Sequence, residues 1–191
     1  PKGVAMPHAP LAQLLHWQRQ ALAPAQRVLQ FAAVGFDVSF QEIFGALCSG
    51  AALVLIDARQ RLDIAALPAW LAAHAIDRLH LPYIAAQSLA EAVDGCDDAA
   101  LAGLRAHLRE IVVAGEQLRL TAPLRRMLRR LPDCRLHNHY GPTETHVAVA
   151  CALGPDLDAE PDRAPIGRPI SGSRVYLLDR HGQPVPRGAA G

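Results

Sequence analysis

Short apolar runs of strand length alternate along this chain with longer segments whose apolar residues recur at helical spacing. The alternation predicts a layered α/β fold, because helices must cover the faces of a largely buried sheet. The predicted helices cover residues 11–21, 39–48, 63–74, 84–93 and 121–131. The predicted strands in this part of the chain cover residues 28–33, 52–56, 78–81, 110–114 and 135–139.

Several residues sharpen these boundaries. Gly50 follows the second predicted helix and is a typical left-handed helix stop. Pro68 fits poorly inside a helix and marks the true first turn of the third one, while Pro123 suits the first turn of the last. Residues 52–56 form an unbroken apolar run, which predicts a strand buried on both faces.

The pattern changes to β structure after Gly141. Residues 146–152 and 174–179 are predicted to be strands, and a turn at residues 180–183 closes the second. Residues 154–165 are rich in Pro and Asp, which predicts a surface loop. The layered α/β part is therefore expected to pass into a β-rich C-terminal segment.

The composition narrows the class of protein. With 191 residues, 51% of them hydrophobic, the chain can bury the core of one domain. The 19 Lys and Arg residues nearly balance the 18 Asp and Glu residues, which argues against a nucleic-acid-binding protein and against a charged tail.

The cysteines and the chain ends indicate the cellular setting. Cys48, Cys96, Cys134 and Cys151 are too far apart for a zinc site or a disulfide framework, so a reducing cytoplasm is expected. The longest apolar runs are too short to span a bilayer, and no signal peptide is present, so no membrane partner is expected. The chain begins with Pro1 rather than Met, which predicts that it is part of a longer protein.

The richest chemistry lies in residues 137–146, His-Asn-His-Tyr-Gly-Pro-Thr-Glu-Thr-His, directly after a predicted strand. Tyr140 offers an aromatic face for a nucleobase, and Asn138 offers an amide that can bond the edge of the base. The Thr143 hydroxyl can bond a phosphate oxygen, and the Glu144 carboxylate can hold Mg²⁺. From chemistry alone, an ordinary strand-turn-strand is an equally good interpretation.

The order of several landmarks decides between these interpretations. Residues 140–145 resemble the fifth core motif of amino-acid adenylation domains of nonribosomal peptide synthetases, which belong to the adenylate-forming superfamily. Residues 1–4 resemble the end of that family's phosphate loop, and residues 36–51 resemble its fourth motif. Residues 114–116 resemble its adenine-side turn, and residues 166–170 a later landmark. The landmarks occur in family order over the whole chain.

The resemblance implies the middle of the large N-terminal lobe of an adenylate-forming enzyme. Residues 1–191 would form a partial adenylation domain without the front of the phosphate loop, the hinge or the C-terminal lobe. The implied reaction is attack of a substrate carboxylate on the α-phosphorus of ATP, which gives aminoacyl-AMP and pyrophosphate. The product would then load the phosphopantetheine thiol of a carrier protein, next to condensation domains of the same synthetase.

The resemblance also implies how ATP is held. Tyr140 would stack on the adenine, and Asn138 would bond its exocyclic amine. Gly115 and Glu116 would lie along the base, with Gly141 also in the nucleotide site. The catalytic pair, Thr143 and Glu144, would contact the α-phosphate and bind Mg²⁺, respectively.

Asp37 separates amino-acid activation from fatty-acyl activation in this interpretation. The family places an Asp at this position to pair with the α-ammonium of the substrate. Its alternative role is a helix-entry residue. The pattern Ser39-x-x-Glu42 predicts a capping box of its own, which leaves Asp37 less needed as a cap.

The remaining pocket positions are carried over from the resemblance. With Asp37 they are Val38, Gln41, Ile84, Val112, Ala114, His139, Val147 and Ala148. These positions carry no carboxylate beyond Asp37 and neither Lys nor Arg, which favours a small or medium nonpolar side chain. The combination resembles pockets that select L-proline, with another small apolar amino acid as the alternative. The rival classes are an acyl- or aryl-CoA ligase and a noncatalytic nucleotide-binding remnant.

A metal site built from histidines is not expected. His137 and His139 share a face of the predicted strand, and His146 is nearby. No Asp, Glu or Cys at a suitable spacing completes a zinc site.

Overall fold

A computed structural model describes residues 3–190. Pro1 and Lys2, half of the segment that resembles the phosphate loop, lie outside the described residues. The helices are α1 (His8–Ala21), α2 (Val38–Leu47), α3 (Ala58–Leu62), α4 (Leu67–Ala73), α5 (Tyr83–Gly95), α6 (Asp98–His107) and α7 (Ala122–Arg130). The strands are β1 (Arg27–Gln30), β2 (Ala52–Leu55), β3 (Arg78–Pro82), β4 (Glu110–Ala114), β5 (Arg135–Tyr140), β6 (Val149–Ala152) and β7 (Arg168–Pro169).

The strands form one mixed sheet in the order β2-β1-β3-β4-β5-β6-β7. Strands β2 to β5 pair in parallel, and β6 and β7 add to the β5 edge in antiparallel pairing. Parallel strands need crossover connections, and the helical segments between them supply these. The predicted α/β fold class is confirmed.

The two faces of the sheet have different chemistry because side chains alternate along each strand. Leu79, Ile111 and Leu136 point into the main core, where they pack with buried leucines of α4 to α7. Burying each such side chain contributes about 1.5–3 kcal/mol. The opposite face carries His80, Val112 and His137 in register, and α1 and α2 cover it. Polar side chains therefore concentrate on one face of the sheet.

Most of the predicted boundaries are close to the observed ones. Gly50 has φ of 78°, in the left-handed region, two residues after Cys48, the capping residue of α2. Pro68 lies in the first turn of α4, as its awkward place in the sequence predicted. Thr121 precedes the first residue of α7, which has a proline in its first turn.

Three features of the fold differ from the prediction. Strand β2 is at the edge of the sheet and Leu55 is 69% exposed, so the apolar run of residues 52–56 is not buried on both faces. Helices α3 and α6 were not predicted. Residues 174–179 do not form a strand, because their pairing is limited to a single bridge between Leu178 and Pro184.

No helix within residues 3–190 is both long and apolar enough to cross a membrane.

Candidate active site

A cavity of about 650 Å³ opens where β3, β4 and β5 end, facing the loop between β1 and α2. Ligands of open parallel sheets bind in this position, outside the carboxyl ends of the strands. Ten of the predicted site residues line the cavity: Asp37, Val38, Gln41, Ala114, Gly115, Glu116, His139, Gly141, Thr143 and Val147.

Asp37 caps α2 at the entrance to this helix. Its Oδ1 accepts a hydrogen bond from the Val38 N–H at 2.8 Å, and the residue is half-buried at the cavity wall. The predicted capping box of Ser39 and Glu42 does not form. The Ser39 hydroxyl instead donates to the Phe36 carbonyl at 2.7 Å. Asp37 therefore combines the helix-entry role with a place in the cavity.

Glu42 turns inward and holds the loop that carries Asp37. Its carboxylate accepts the Phe31 N–H at 3.1 Å and the Ala32 N–H at 3.1 and 3.2 Å. Burial raises the pKa of Glu42 from 4.5 to about 7, although the two backbone hydrogen bonds, Gln30 and Arg61 oppose the shift. The loop is thus tied to a buried group that titrates near neutral pH.

Gln41, His139 and His80 form the polar floor of the cavity, and we use that name for these three residues. Gln41 Nε2 donates to Gln18 Oε1 at 2.9 Å and lies 3.3 Å from His139 Nδ1. All three floor residues line the cavity, and none is more than 2% exposed. Burial, with the neighbouring charges, lowers the pKa of His139 to about 3 and that of His80 well below its usual 6.5. Both rings are therefore neutral at pH 7.

A buried ion pair lies on the same sheet face at the other end of the strands. Arg78 Nε donates to Glu110 Oε2 at 2.7 Å, and His137 Nε2 is 3.5 Å from Glu110 Oε1. Burial raises the pKa of Glu110, but its contacts with His137 and Arg78 outweigh this and lower it overall. Within residues 3–190 no three His, Cys, Asp or Glu side chains are placed to hold a metal ion.

The turn after β5 brings Thr143 to the cavity and leaves Glu144 exposed beside it. The turn is closed by a hydrogen bond from the Thr145 N–H to the Pro142 carbonyl at 3.0 Å. Gly141 has no room for a side chain, because a Cβ there would clash with the backbone carbonyl of His146. An exposed carboxylate fits Mg²⁺, which usually keeps several waters and takes one or two protein carboxylates together with substrate phosphates.

The residues predicted to hold adenine are divided between the two sheet faces. Asn138 is buried on the face away from His139, and its Nδ2 donates to the Pro165 carbonyl at 2.9 Å. Tyr140 ends β5 on that same face and is 54% exposed. Gly115 has φ of 94°, a left-handed conformation that favours glycine at the end of β4.

Six predicted site residues do not line the cavity. Three of them, Asn138, Tyr140 and Glu144, belong to the proposed nucleotide side. The other three were predicted for the substrate pocket. Ile84 is 62% exposed at the start of α5, Val112 is fully buried between strands, and Ala148 is half-buried before β6.

The cavity also includes residues to which the sequence analysis gave no place in the site. His80, Leu81 and Pro82 come from the end of β3, a position where ligands of parallel sheets bind. Arg61 brings a guanidinium to the lining, where its Nη1 donates to the Phe31 carbonyl at 3.2 Å. The remaining ones are Phe31, Ala32, Ala33, Phe36, Pro142 and His146. The added residues bring a guanidinium and two imidazoles to the lining, together with further apolar surface.

Comparison with known proteins identifies the family. The model for AMP-binding enzymes matches residues 1–191. This chain belongs to the AMP-binding enzyme family. It is 38% identical over 193 residues to tyrocidine synthase 2 of Brevibacillus parabrevis, and 39% identical over 199 residues to chondramide synthase cmdD of Chondromyces crocatus. Each match covers the whole chain but only 5% of the relative.

Solved structures of nonribosomal peptide synthetase proteins share the fold. The nonribosomal peptide synthetase FmoA3 superposes with a TM-score of 0.84 at 28% identity, covering 96% of this chain and 19% of that one. PA1221, a nonribosomal peptide synthetase protein containing adenylation and PCP domains, gives 0.75 at 32% identity, with 93% and 34% covered. The predicted place of this chain in the N-terminal lobe of an adenylation domain is confirmed.

Proposed function

We propose that this chain is part of an adenylation domain that activates a free amino acid as aminoacyl-AMP, with release of pyrophosphate. The observation that carries the proposal is Asp37, which is half-buried in the wall of the cavity that the turn residue Thr143 also lines. Asp37 then pairs with the α-ammonium of the substrate, and Thr143 contacts the α-phosphate of ATP. A carboxylic acid without an amine leaves Asp37 unpaired, which disfavours fatty and aryl acids.

ATP is proposed to lie across the carboxyl ends of β4 and β5. Tyr140, exposed there, stacks on the adenine, and the Gly115-Glu116 turn and Gly141 approach the nucleotide. Asn138 has one N–H committed to the Pro165 carbonyl. Its Oδ1 is the atom suited to the exocyclic amine of adenine, because that amine is a donor.

The nucleotide is proposed to arrive with Mg²⁺ bound by Glu144. The exposed carboxylate of Glu144 follows Thr143 directly, so both groups reach the phosphates from one turn. Mg²⁺ supplies positive charge against the negative charge of the triphosphate when it is bound. The contribution of the protein is to position the reactants and to present fixed donors to the developing charge.

L-Proline is the proposed substrate. Val38, Ala114 and Val147 line the cavity with small apolar surfaces, and a secondary ammonium still offers Asp37 two N–H donors. Ile84, Val112 and Ala148 complete the pocket in the family mapping but do not line the cavity here. Another small apolar amino acid is the alternative.

The activated amino acid is proposed to pass to a carrier protein. The phosphopantetheine thiol of that carrier is the acceptor, and condensation domains of the same synthetase are further partners. PA1221 contains adenylation and PCP domains in one protein, which supports this arrangement. We propose a cytoplasmic setting, with neither nucleic acid nor membrane as a partner.

Amino-acid-dependent ATP–pyrophosphate exchange on the full-length protein that carries this chain tests the proposal. A panel should contain L-proline, the other proteinogenic amino acids, N-acetyl-L-proline and fatty and aryl acids. Exchange with free amino acids, and none with the acids that lack an amine, is the expected result. Exchange with fatty or aryl acids points to a CoA ligase, and no exchange with any substrate points to a noncatalytic remnant.

A further inference from the structure

The loop between β1 and α2 begins with two residues whose backbone is held by side chains instead of by neighbouring strands. Strand β1 ends at Gln30, so Phe31 and Ala32 leave the sheet, although Phe31 is still buried. Buried backbone N–H and C=O groups need hydrogen-bond partners. The four N–H and C=O groups of these two residues find their partners on the side chains of Gln30, Glu42 and Arg61.

We call Gln30, Glu42 and Arg61 the backbone clamp, because they come from three different elements and hold the same two residues. Glu42 of α2 accepts the N–H groups of Phe31 and Ala32, each at 3.1 Å. Gln30, the last residue of β1, donates to the Ala32 carbonyl. Arg61 of α3 donates to the Phe31 carbonyl at 3.2 Å. The clamp therefore fixes the chain at the point where it leaves the sheet.

Electrostatic attraction links two members of the backbone clamp. Burial raises the pKa of Glu42 to about 7, and Arg61 is one of the groups that oppose this shift. The positive charge of Arg61 therefore favours the ionised carboxylate, which is a stronger hydrogen-bond acceptor than the neutral acid. A guanidinium that already bonds a loop carbonyl and offsets this carboxylate has less capacity to hold an anionic ligand.

A short stretch of chain, residues 33–36, connects the clamped pair to Asp37. The Phe36 N–H donates to the Ala33 carbonyl at 2.9 Å, and the buried Ser39 hydroxyl donates to the Phe36 carbonyl at 2.7 Å. Asp37 follows directly as the N-terminal cap of α2. Because the stretch is short and closed by these bonds, we expect a shift of the clamped pair to move the Asp37 carboxylate.

We infer that Arg61 is a positioning residue for substrate binding, because it completes the backbone clamp and so sets the place of Asp37 in the cavity wall. The inference rests on the proposed function, in which Asp37 pairs with the α-ammonium of the amino acid. The turn that carries Thr143 follows β5, a different segment, so the effect falls on the amino acid and not on ATP. Losing a contact that is equally strong in the ground state and the transition state raises KM and leaves kcat unchanged.

Pyrophosphate exchange on the full-length protein, with the best amino acid of the substrate panel, tests the inference. Arg61→Ala should raise the KM for the amino acid about 10-fold, the effect of losing one hydrogen bond from a charged group. It should change kcat and the KM for ATP less than about 2-fold. Arg61→Lys keeps a charged donor and should restore part of the affinity. Arg59→Ala removes an exposed arginine of the same helix and should leave all three constants unchanged.

A double-mutant cycle shows whether Arg61 acts through Asp37. In the Asp37→Ala background, the further change Arg61→Ala should alter the KM for the amino acid less than about 2-fold, because the group that Arg61 positions is already gone. Effects of the two substitutions that multiply in full would mean that Arg61 acts by another route, which overturns the inference. Thermal unfolding of each variant shows whether it is folded in the assay. If Arg61→Ala does not fold, Arg61→Lys takes its place in both measurements.

The remaining outcomes separate this inference from the proposed function. An unchanged KM for the amino acid in folded Arg61→Ala overturns the inference and leaves amino-acid activation standing. A rise in the KM for ATP, or a fall in kcat, also overturns it and points to a direct contact between Arg61 and the phosphates. No exchange by the wild type with any amino acid overturns the proposed function together with the inference.

Discussion

The amide of Gln41 lies 3.3 Å from Nδ1 of His139, although 98 positions separate the two residues in the sequence. One side chain comes from α2 and the other from β5, so their contact joins the helix that Asp37 caps to the strand that leads into the turn with Thr143. Gln41 also bonds Gln18 of α1 at 2.9 Å. This part of the cavity therefore depends on three segments, distant in the sequence, that pack on one face of the sheet.

Glu42 should give the protein a pH-dependent stability that Glu42→Gln lacks. The folded state raises the pKa of Glu42 from 4.5 to about 7, so the folded protein binds more protons than the unfolded one between these values. This contribution to stability is complete below pH 4.5 and is lost as the pH rises through 7, by at most about 3 kcal/mol. The stability of the wild type relative to Glu42→Gln should therefore fall as the pH rises from 4.5 to 8.

Thermal unfolding midpoints of the full-length protein across this pH range measure that difference. The lowered pKa of His139 has the opposite effect, because it makes the folded state more stable as the pH rises. His139 is present in both the wild type and Glu42→Gln, so its contribution cancels in the comparison. Glu91→Gln, an exposed change on α5, is the matched control. A constant difference between wild type and Glu42→Gln would show that Glu42 does not titrate in this window.

Tyr140→Ala should weaken ATP binding while Tyr140→Phe should not. Stacking between a base and an aromatic side chain contributes roughly 1–3 kcal/mol by alanine substitution at comparable sites, which is about 5- to 150-fold in affinity. Tyr176→Ala removes another exposed tyrosine, one away from the cavity, and serves as the control. Isothermal titration with a nonhydrolysable ATP analogue measures the effect, and equal affinities for wild type and Tyr140→Ala would remove Tyr140 from the site.

The sequence predicted the parallel strands well because each is an apolar run with a clear boundary. Prediction from the sequence failed where the structure of a segment depends on contacts with residues far away in the sequence. Residues 174–179 contain a short apolar run that resembles a strand, yet one bridge, Leu178 to Pro184, is all the strand pairing they make within the described part of the chain. The run 52–56 looks like a buried strand, but burial depends on its place in the sheet, and β2 lies at the edge.

The site shows the same limit. Asp37 and Thr143 were found from short motifs, because the turn and the helix entry that carry them are local. His80 is a single polar residue in an apolar strand, and nothing nearby in the sequence marks it as part of a site. Its place in the cavity lining emerges only when β3 and β5 bring it near His139, and α2 brings Gln41 to the same cavity. The useful signal was its position near the carboxyl end of a parallel strand.

Glu144→Gln should keep the fold and reduce adenylation strongly. The carboxylate is exposed on the turn after β5, so its loss removes no internal packing. Removing one preorganised electrostatic contact to a developing charge typically costs on the order of 10²–10³ in rate. Exchange rates measured over a range of Mg²⁺ concentrations should show weaker dependence on the metal. Turnover close to wild type at saturating Mg²⁺ would make Glu144 only a turn residue.

Asp37 provides the test that decides the class of substrate. Asp37→Ala should lower amino-acid-dependent exchange by about 100-fold, because the α-ammonium loses its partner in the cavity. A 100-fold loss corresponds to about 3 kcal/mol, which is the lower end of the roughly 3–5 kcal/mol that breaking a buried ion pair costs. We expect the lower end because Asp37 is only half-buried. Asp133→Ala, an exposed aspartate after α7, is the control for a lost surface charge.

Asp37 also caps α2, so its two roles must be separated. Asp37→Asn keeps an oxygen that can accept the Val38 N–H, and it should retain the thermal stability of the wild type while losing most of the exchange activity. If Asp37→Asn activates amino acids normally, Asp37 is a helix cap and not the partner of the ammonium. Asp37→Ala could instead gain activity toward fatty acids while losing it toward amino acids. That result would show that the carboxylate itself selects between these substrate classes, because removing it ends the energetic penalty for binding a ligand without an amine.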